Sequence, residues 1–425
     1  MSIFRSFKII RENWKKSTFA VVVITWGVSY TKNYLKTDEI MKSYCEKAAL
    51  YGKGTISVQA SPRSITVILN PNANKRKAAT EFEKFCAPLL NLAGLSVEVI
   101  KTESEGHAKN LMETLGTVDS IVVAGGDGTL SEVVTGLLRR TNENSKTLIP
   151  LGVLPLGLHN TVGRSLFPGE KKIGKIKSLA DATMAVIEET MKPMDVMKIE
   201  ILNEEENKKP VYAVAEIKWG AYRDAEMKKE RYWYFGGLKK YATYLFSGLK
   251  SSLTWECQAQ LLFSPPCTGC SNCHRIQMSQ LKSKWFQRYM KEDENELKFK
   301  QIHNPQCLQK IEKAISTTDL TVFTSNVIPS QIKGTEVPKL QVNIGPEKVD
   351  YLEFVKQGWK SELGETRNIC EAIEARTIEI DPSNVAKSGN ELWFSIDNED
   401  YEVKPIRVTL LPGILNMYCK KEMLK

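Results

Sequence analysis

Two rhythms of apolar and polar residues divide the chain. Between residues 64 and 190, short apolar runs alternate with segments whose apolar residues recur every three or four positions. SITVILN, LSVEVIKT, SIVVAGG and LIPLGVLPLG read as buried strands, and AATEFEKFCAPLLNLAG, GHAKNLMETLG, TLSEVVTGLLRR and IKSLADATMAVIEET as helices with one apolar face. Such alternation predicts βα units and a parallel sheet. Past Pro193 the pattern changes to a period of two or to β-branched runs, in MDVMKIEIL, PVYAVAEIKW, LTVFTSNVI, LQVNIG, ARTIEI, ELWFSI and IRVTLLPG, without helices between them. This predicts a mainly antiparallel β-sandwich. The expected division is an N-terminal region over 1–60, an α/β domain over 61–193 and a β-rich domain over 194–425, the last interrupted by a Cys-rich, basic insertion at about 264–310.

The first forty residues fit neither rhythm. Arg5, Lys8, Arg11, Lys15 and Lys16 accompany a single acid, Glu12, while Ile3, Phe7, Ile10 and Trp14 recur at roughly helical spacing. Residues 17–31 are uncharged and mostly apolar. A membrane-spanning helix takes about twenty such residues. A basic amphipathic lead before a short apolar stretch points to a mitochondrial address joined to a membrane-associating segment, rather than to a secretory signal, since no small-x-small cleavage site follows cleanly. A first helix packed on the protein is the alternative.

Composition narrows the partners. The chain has 425 residues, 42% of them hydrophobic, enough for two domains with cores of their own. Against 50 Asp and Glu stand 59 Lys and Arg, and the net +9 favours phospholipid, nucleic acid or a polyphosphate nucleotide. Nucleic acid is set aside, because no strand carries basic residues interleaved with aromatics and no zinc-finger spacing with a second His pair occurs. In LKSKWFQRYMK, Lys282, Lys284, Arg288 and Lys291 lie beside Trp285, Phe286 and Tyr289, a surface suited to anionic lipid or an ordinary solvated helix.

The densest chemistry lies in IVVAGGDGTLSEVVTG, residues 121–136. An apolar strand delivers Gly125, Gly126, Asp127, Gly128 and Thr129 to the carboxyl end of the sheet, the usual ligand position in an open α/β domain. Glycines there permit positive φ and let backbone N–H groups approach a phosphate. Thr129 and Glu132 are expected to form a T-x-x-E capping box for the next helix, whose positive end faces the site. No Lys follows, as a P-loop requires, and Ser131 stands where the dinucleotide fingerprint needs its third glycine. Asp127 would repel a phosphate unless a cation lies between them or it takes a proton from an attacking hydroxyl. Both roles belong to phosphoryl transfer. A tight turn with Asp as a local acceptor is the purely structural alternative.

GGDGTLSEVVTG, LPLGLHNTVGRSLF, VILNP and KTESEGHA together resemble the diacylglycerol kinase catalytic-domain family, shared by diacylglycerol, sphingosine, ceramide and acylglycerol kinases. NWKK…TWG, VVTGLLRRT, WGAYRDA, YWYFGGLK and FSIDNEDYE…LLP extend the likeness to its acylglycerol kinase branch along nearly the whole chain, the Cys-rich insertion excepted. The resemblance implies a NAD kinase-like α/β fold, Mg²⁺ with ATP, and monoacylglycerol and diacylglycerol as acceptors, giving lysophosphatidate and phosphatidate. It also implies a mitochondrial location at the inner membrane or intermembrane space and a kinase-independent part in the inner-membrane carrier translocase. Carried over by position, Asn70, Thr102, Gly125, Gly126, Gly128, Thr129, Gly157, Asn160 and Lys239 would sit on ATP. Asp127 would be the carboxylate at the transfer centre, with Asp397 and Glu399 in metal or base roles. Mg²⁺ would be held through ATP and by Asp127 or Asp397, and Asp224 would meet the lipid hydroxyl. Three departures stand out: NPNANKRKA lacks the family's glycines and offers Lys75, Arg76 and Lys77; Leu158 and His159 replace Thr and a small residue; Asn398 replaces the Gly between the two acids.

The insertion carries CTGCSNCH. Cys270, Cys273 and His274 match the c-type haem attachment pattern without an axial Met context to support it. Cys267 and Cys270 or Cys273, with His303 and Cys307, have an acceptable zinc spacing. Disulfides and reduced thiols are the other readings, and nine cysteines cannot all pair within one chain. The rival enzyme is a soluble NAD or sugar-phosphate kinase, and the rival of another class is a catalytically weak membrane scaffold.

Overall fold

The computed structural model describes residues 14–53, 62–116, 118–140, 149–169, 172–202, 209–250, 257–267, 270–271, 302–307, 309–327, 337–382 and 392–424. The basic lead before Trp14, Cys273 and the LKSKWFQRYMK surface lie outside them. Strands β1 (Ser64–Leu69), β2 (Ser96–Lys101), β3 (Ser120–Gly125) and β4 (Leu151–Pro155) run parallel in the order β2-β1-β3-β4. All six residues of β3 are buried, as a continuous apolar run requires, whereas the edge strand β2 alternates Val with Ser, Glu and Lys and is largely exposed.

Around this sheet pack α1 (Trp14–Gly52), α2 (Ala78–Phe85), α3 (Ala87–Leu92), α4 (His107–Thr114), α5 (Asp127–Arg140), α6 (Thr161–Leu166) and α7 (Lys172–Glu188). The single helix expected over 78–94 breaks at Cys86, because Pro88 occupies the first turn of α3 and cannot donate back into α2. Leu130, Val133, Val134 and Leu137 turn the apolar face of α5 onto Val122 and Val123 of β3.

The second half of α1 is anchored. Met41, Tyr44, Cys45 and Ala48 join the α/β core, and the Tyr44 hydroxyl donates to Asp181 on α7. Its first half stands clear, with Phe19 71%, Ile24 63% and Trp26 69% exposed. Among the described residues no helix is long and apolar enough to cross a membrane.

Beyond α7 the strands are β5 (Met191–Ile201), β6 (Val211–Ala213), β7 (Glu216–Gly220), β8 (Cys257–Ser264), β9 (Ile311–Thr317), β10 (Asp319–Thr324), β11 (Leu340–Ile344), β12 (Glu371–Ala375), β13 (Thr377–Pro382), β14 (Trp393–Ile396), β15 (Glu399–Glu402) and β16 (Ile406–Tyr418). Six form an antiparallel sheet, β12-β11-β10-β7-β14-β15. The long final strand joins the two halves. β16 pairs antiparallel with β13 and β5, while Met417 near its end lies parallel beside Leu151 of β4. Ile217, Trp219, Val322 and Phe394 of the six-stranded sheet meet Leu261, Ile378 and Val408 in a sandwich core. The strand-only expectation missed three helices here, α8 (Ala221–Met227), α9 (Lys239–Lys250) and α10 (Tyr351–Glu362). They bury Tyr222, Tyr244 and Phe354 in a small core of their own.

Candidate active site

All four parallel strands end at one cleft of about 400 Å³. It opens between β1 and β3, where the strand order reverses, the usual ligand position in such a sheet. β1 hands over to Asn70, β2 to Thr102, β3 to Gly126 and Asp127, and β4 to the loop of Gly157, Leu158 and His159. From the other half of the protein the β14–β15 turn contributes Asn398 and Glu399.

Glycines let these loops touch. A Cβ on Gly157 would lie 2.3 Å from the Gly126 Cα, one on Gly126 2.9 Å from the His159 carbonyl oxygen, and one on Gly128 2.6 Å from Glu399 Oε1. Gly125, just before them, accepts from the N–H groups of Leu156 and Gly157. Contrary to expectation, none of Gly125, Gly126 and Gly128 has positive φ; close approach is what requires glycine. Left-handed backbone occurs instead at Asn74, Lys75 and Arg76, with φ of 51°, 56° and 66°, so the Asn-Pro loop turns without the family's glycines. Asn70 steadies that loop, donating to Thr129 Oγ1 at 3.1 Å and accepting from the Asn72 N–H at 3.0 Å.

The expected capping box does not form. α5 starts at Asp127, which places Thr129 inside its first turn. Glu132 accepts from the N–H groups of Gly106 at 2.9 Å and Ala108 at 3.1 Å, and so caps the neighbouring helix α4.

Asp127 is only 4% exposed. Both its oxygens accept from the Thr161 N–H at 2.8 Å, and Oδ2 accepts from Asn398 Nδ2 at 2.9 Å. Burial pushes its carboxyl above the ordinary range, and the Thr161 N–H opposes that rise. Burial also pushes the His159 imidazole down, against the pull of Asp127.

Sequence neighbours in the β14–β15 turn have opposite fates. Asp397 and Asn398 form its two-residue loop with φ of 47° and 66°, and Asn suits the position where the family has Gly because it tolerates left-handed backbone. The Asp397 carboxylate turns inward, accepting from the N–H groups of Val214 at 2.7 Å and of Ala215 and Glu216 at 3.0 Å. Burial pushes it up to about 7 against those donors. Glu399 lines the cleft, accepts from the Tyr401 hydroxyl at 3.2 Å, and is pushed up to about 7 by burial and then by Glu132.

Other expected contacts fall outside the cleft lining. Asn160 spends its side chain on Gly157, accepting from its N–H at 2.9 Å and donating to its carbonyl at 2.8 Å, and thereby shapes the loop. Lys239 pairs with Glu230, which also meets Lys75 at 3.4 Å. Asp224 pairs with Arg223 at 2.8 Å on α8. In the insertion Cys267, Cys270 and Cys307 converge, while His303 is exposed and outside that group.

Several lining residues escaped the sequence reading: Glu103, Glu105, Glu132, His159 and Asn398 in this respect. Among the described residues the lining has five carboxylates, those of Asp127 and Glu399 included, and no Lys or Arg. A polyphosphate enters such a cleft only with cations that offset both sets of charge. Mg²⁺ is ordinarily held by one or two carboxylates together with substrate phosphates and water. Asp127 and Glu399 fit that requirement. Asp397, with its oxygens spent on three backbone amides away from the cleft, does not.

The pattern of the diacylglycerol kinase catalytic domain matches residues 64–199, and that of the acylglycerol kinase C-terminal region matches residues 214–425. Acylglycerol kinase, mitochondrial, of Xenopus laevis is 33% identical over 100% of this chain and 97% of its own length. The Homo sapiens protein of the same name is 33% identical over 99% of this chain and 97% of its own. A diacylglycerol kinase crystal structure from Bacillus anthracis shares the fold, with a TM-score of 0.50 and 19% identity over 86% of this chain and 99% of that one.

Proposed function

The chain belongs to the acylglycerol kinase family of ATP-dependent lipid kinases, and from that premise we propose that it phosphorylates monoacylglycerol and diacylglycerol to lysophosphatidate and phosphatidate. The observation that carries this reading is Asp127, buried at the carboxyl end of β3 and oriented by Thr161 and Asn398. The lipid hydroxyl oxygen attacks the γ-phosphorus, the bond to the β-phosphate oxygen breaks, ADP leaves, and the hydroxyl proton passes to Asp127. A carboxyl raised by burial is better matched to that proton at neutral pH than an ordinary Asp. Asn70, Thr102 and the backbone around Gly126, Gly128 and Gly157 bind the nucleotide, and Asn160 sets the Gly157 loop. Asp397 acts by positioning, since its three backbone contacts hold the turn that presents Asn398 and Glu399. Glu399 and Asp127 would hold Mg²⁺ together with the phosphates, and the ion would supply charge neutralisation there.

Asp127→Asn is the test. Its amide offers one acceptor oxygen in place of two, and the variant should lose about 10³-fold or more in lipid phosphorylation while keeping its thermal midpoint within a few degrees. Turnover equal to wild type defeats the assignment. A panel of mono- and diacylglycerol, ceramide, sphingosine, NAD and sugar phosphates reads the acceptor directly.

The exposed apolar first half of α1 supports association with the mitochondrial membrane. It also supports a second reading, in which this half engages the inner-membrane carrier translocase independently of catalysis. Restoration of carrier import by the Asp127→Asn protein in depleted mitochondria separates the two roles, and failure ties them together.

A further inference from the structure

β8 and β9 form an antiparallel pair that ends at Phe263 and Ile311. Just past those ends, Cys267 and Cys270 leave on one arm and Cys307 returns on the other, and their Sγ atoms all lie within 4.8 Å of one another. Cys270 and Cys307 are buried, and the described hydrophobic cluster at this neck consists of the three cysteines alone. No aliphatic or aromatic core closes it among the described residues. The two arms are held in place by hydrogen bonds: the Ser271 N–H donates to the Ile302 carbonyl at 2.9 Å, and the Cys307 N–H to the Asn304 carbonyl at 3.2 Å. Asn304 Nδ2 also donates to Cys267 Sγ at 3.4 Å.

We propose that Cys267, Cys270 and Cys307 bind one Zn²⁺, which clips together the two ends of the connection between β8 and β9. Three thiols each release a proton and form a Zn–S bond, and the fourth position goes to a ligand outside this trio. A Zn–S bond of about 2.3 Å in tetrahedral geometry sets sulfurs about 3.8 Å apart, so the trio closes on the ion with at most about an ångström of movement. Soft sulfur donors in a tetrahedral arrangement select zinc over Mg²⁺ or Ca²⁺. A metal clip matters most where it closes a long connection, as between Cys270 and Cys307. The cysteines line no part of the catalytic cleft, so this zinc is structural and independent of the kinase reading.

The experiment uses the full chain, purified under reducing conditions without chelator after growth with added zinc. Wild type and Cys370→Ser, whose cysteine is exposed elsewhere, should each carry about one zinc per chain, and Cys270→Ser and Cys307→Ser less than about a tenth of that. If the variants fail to fold, wild type decides: chelation should lower its thermal midpoint, and Co²⁺ reloading should give the thiolate charge-transfer and d–d bands of a tetrahedral sulfur site. Wild type with less than about a tenth of an equivalent after reconstitution with Zn²⁺ overturns the proposal, as does undiminished zinc in Cys307→Ser or a disulfide within the trio under the same conditions.

Discussion

Asn398 Nδ2 donates to Asp127 Oδ2 at 2.9 Å, joining the β14–β15 turn to the loop after β3 across 271 positions of sequence. A glycine at this position would accept the same backbone, φ 66°, but would leave Asp127 without that donor. Asn398→Gly should therefore keep the fold and lower kcat by about 10- to 100-fold, as expected for a hydrogen bond to a charged group, with KM for ATP nearly unchanged. A donor to the ionised form holds a carboxyl pKa down, so its loss raises that of Asp127. The acid limb of the kcat/KM profile should move to higher pH; an unmoved limb assigns Asn398 to the turn alone.

Glycine substitutions should separate by what the added Cβ meets. At Gly157 it meets backbone, the Gly126 Cα at 2.3 Å, and neither loop can withdraw without losing the hydrogen bonds from Leu156 and Gly157 to Gly125. Gly157→Ala should cost about 1–3 kcal/mol in urea denaturation. At Gly128 the added atom meets Glu399 Oε1, the end of a side chain that can turn aside. Gly128→Ala should unfold near wild type, yet lose activity because Glu399 is displaced. Equal destabilisation by the two substitutions contradicts this distinction.

These positions show which part of the fold was legible in the sequence. Apolar runs such as SIVVAGG announce buried parallel strands, and the end of each such strand marks the cleft, so Asn70, Thr102 and Gly126 could be located by pattern and resemblance. The reason for the glycines could not, because their partners arrive from distant segments. Gly128 is shaped by Glu399, and left-handed backbone falls on Asn74, Lys75, Arg76, Asp397 and Asn398 as well as on glycines such as Gly106. Asp397 and Glu399 also look equivalent in sequence. Only the hairpin turn sends one into backbone amides and the other to the cleft.

Stability should carry the imprint of the same two acids. Asp397 and Glu399 are both pushed up to about 7 in the folded protein, against about 4 for unfolded carboxyls. Between those values the folded state binds more protons than the unfolded state, so their contribution is fully present below about pH 4 and is lost as pH rises through about 7. Acids held down by cations, such as Glu226 beside Lys218, work in the opposite sense at lower pH, so the difference from a variant is the useful quantity. Glu399→Gln should gain thermal midpoint relative to wild type on going from pH 5 to pH 8. A constant difference across that range removes Glu399 as the source.

The rim of the cleft holds a competition between a carboxylate and phosphate. Glu230 pairs with Lys239 and lies 3.4 Å from Lys75, in the left-handed turn next to the lining residue Asn74. Lys239 pulls Glu230 below the ordinary carboxyl range, with Lys75 adding to the effect, so at neutral pH Glu230 is ionised and occupies both cations. An incoming triphosphate must compete for them. Glu230→Gln removes the competitor, leaves both lysines charged and touches neither Asp127 nor Glu399. KM for ATP should fall about two- to fivefold at low salt, the size of one partly exposed ion pair, with kcat unchanged. Added salt screens exposed charges over about 10 Å at 0.1 M, so the advantage should vanish as ionic strength rises. An unchanged KM at low salt places these lysines beyond the reach of the phosphates and makes the Lys75–Glu230–Lys239 contact a fastening between the Asn-Pro loop and the segment before α9.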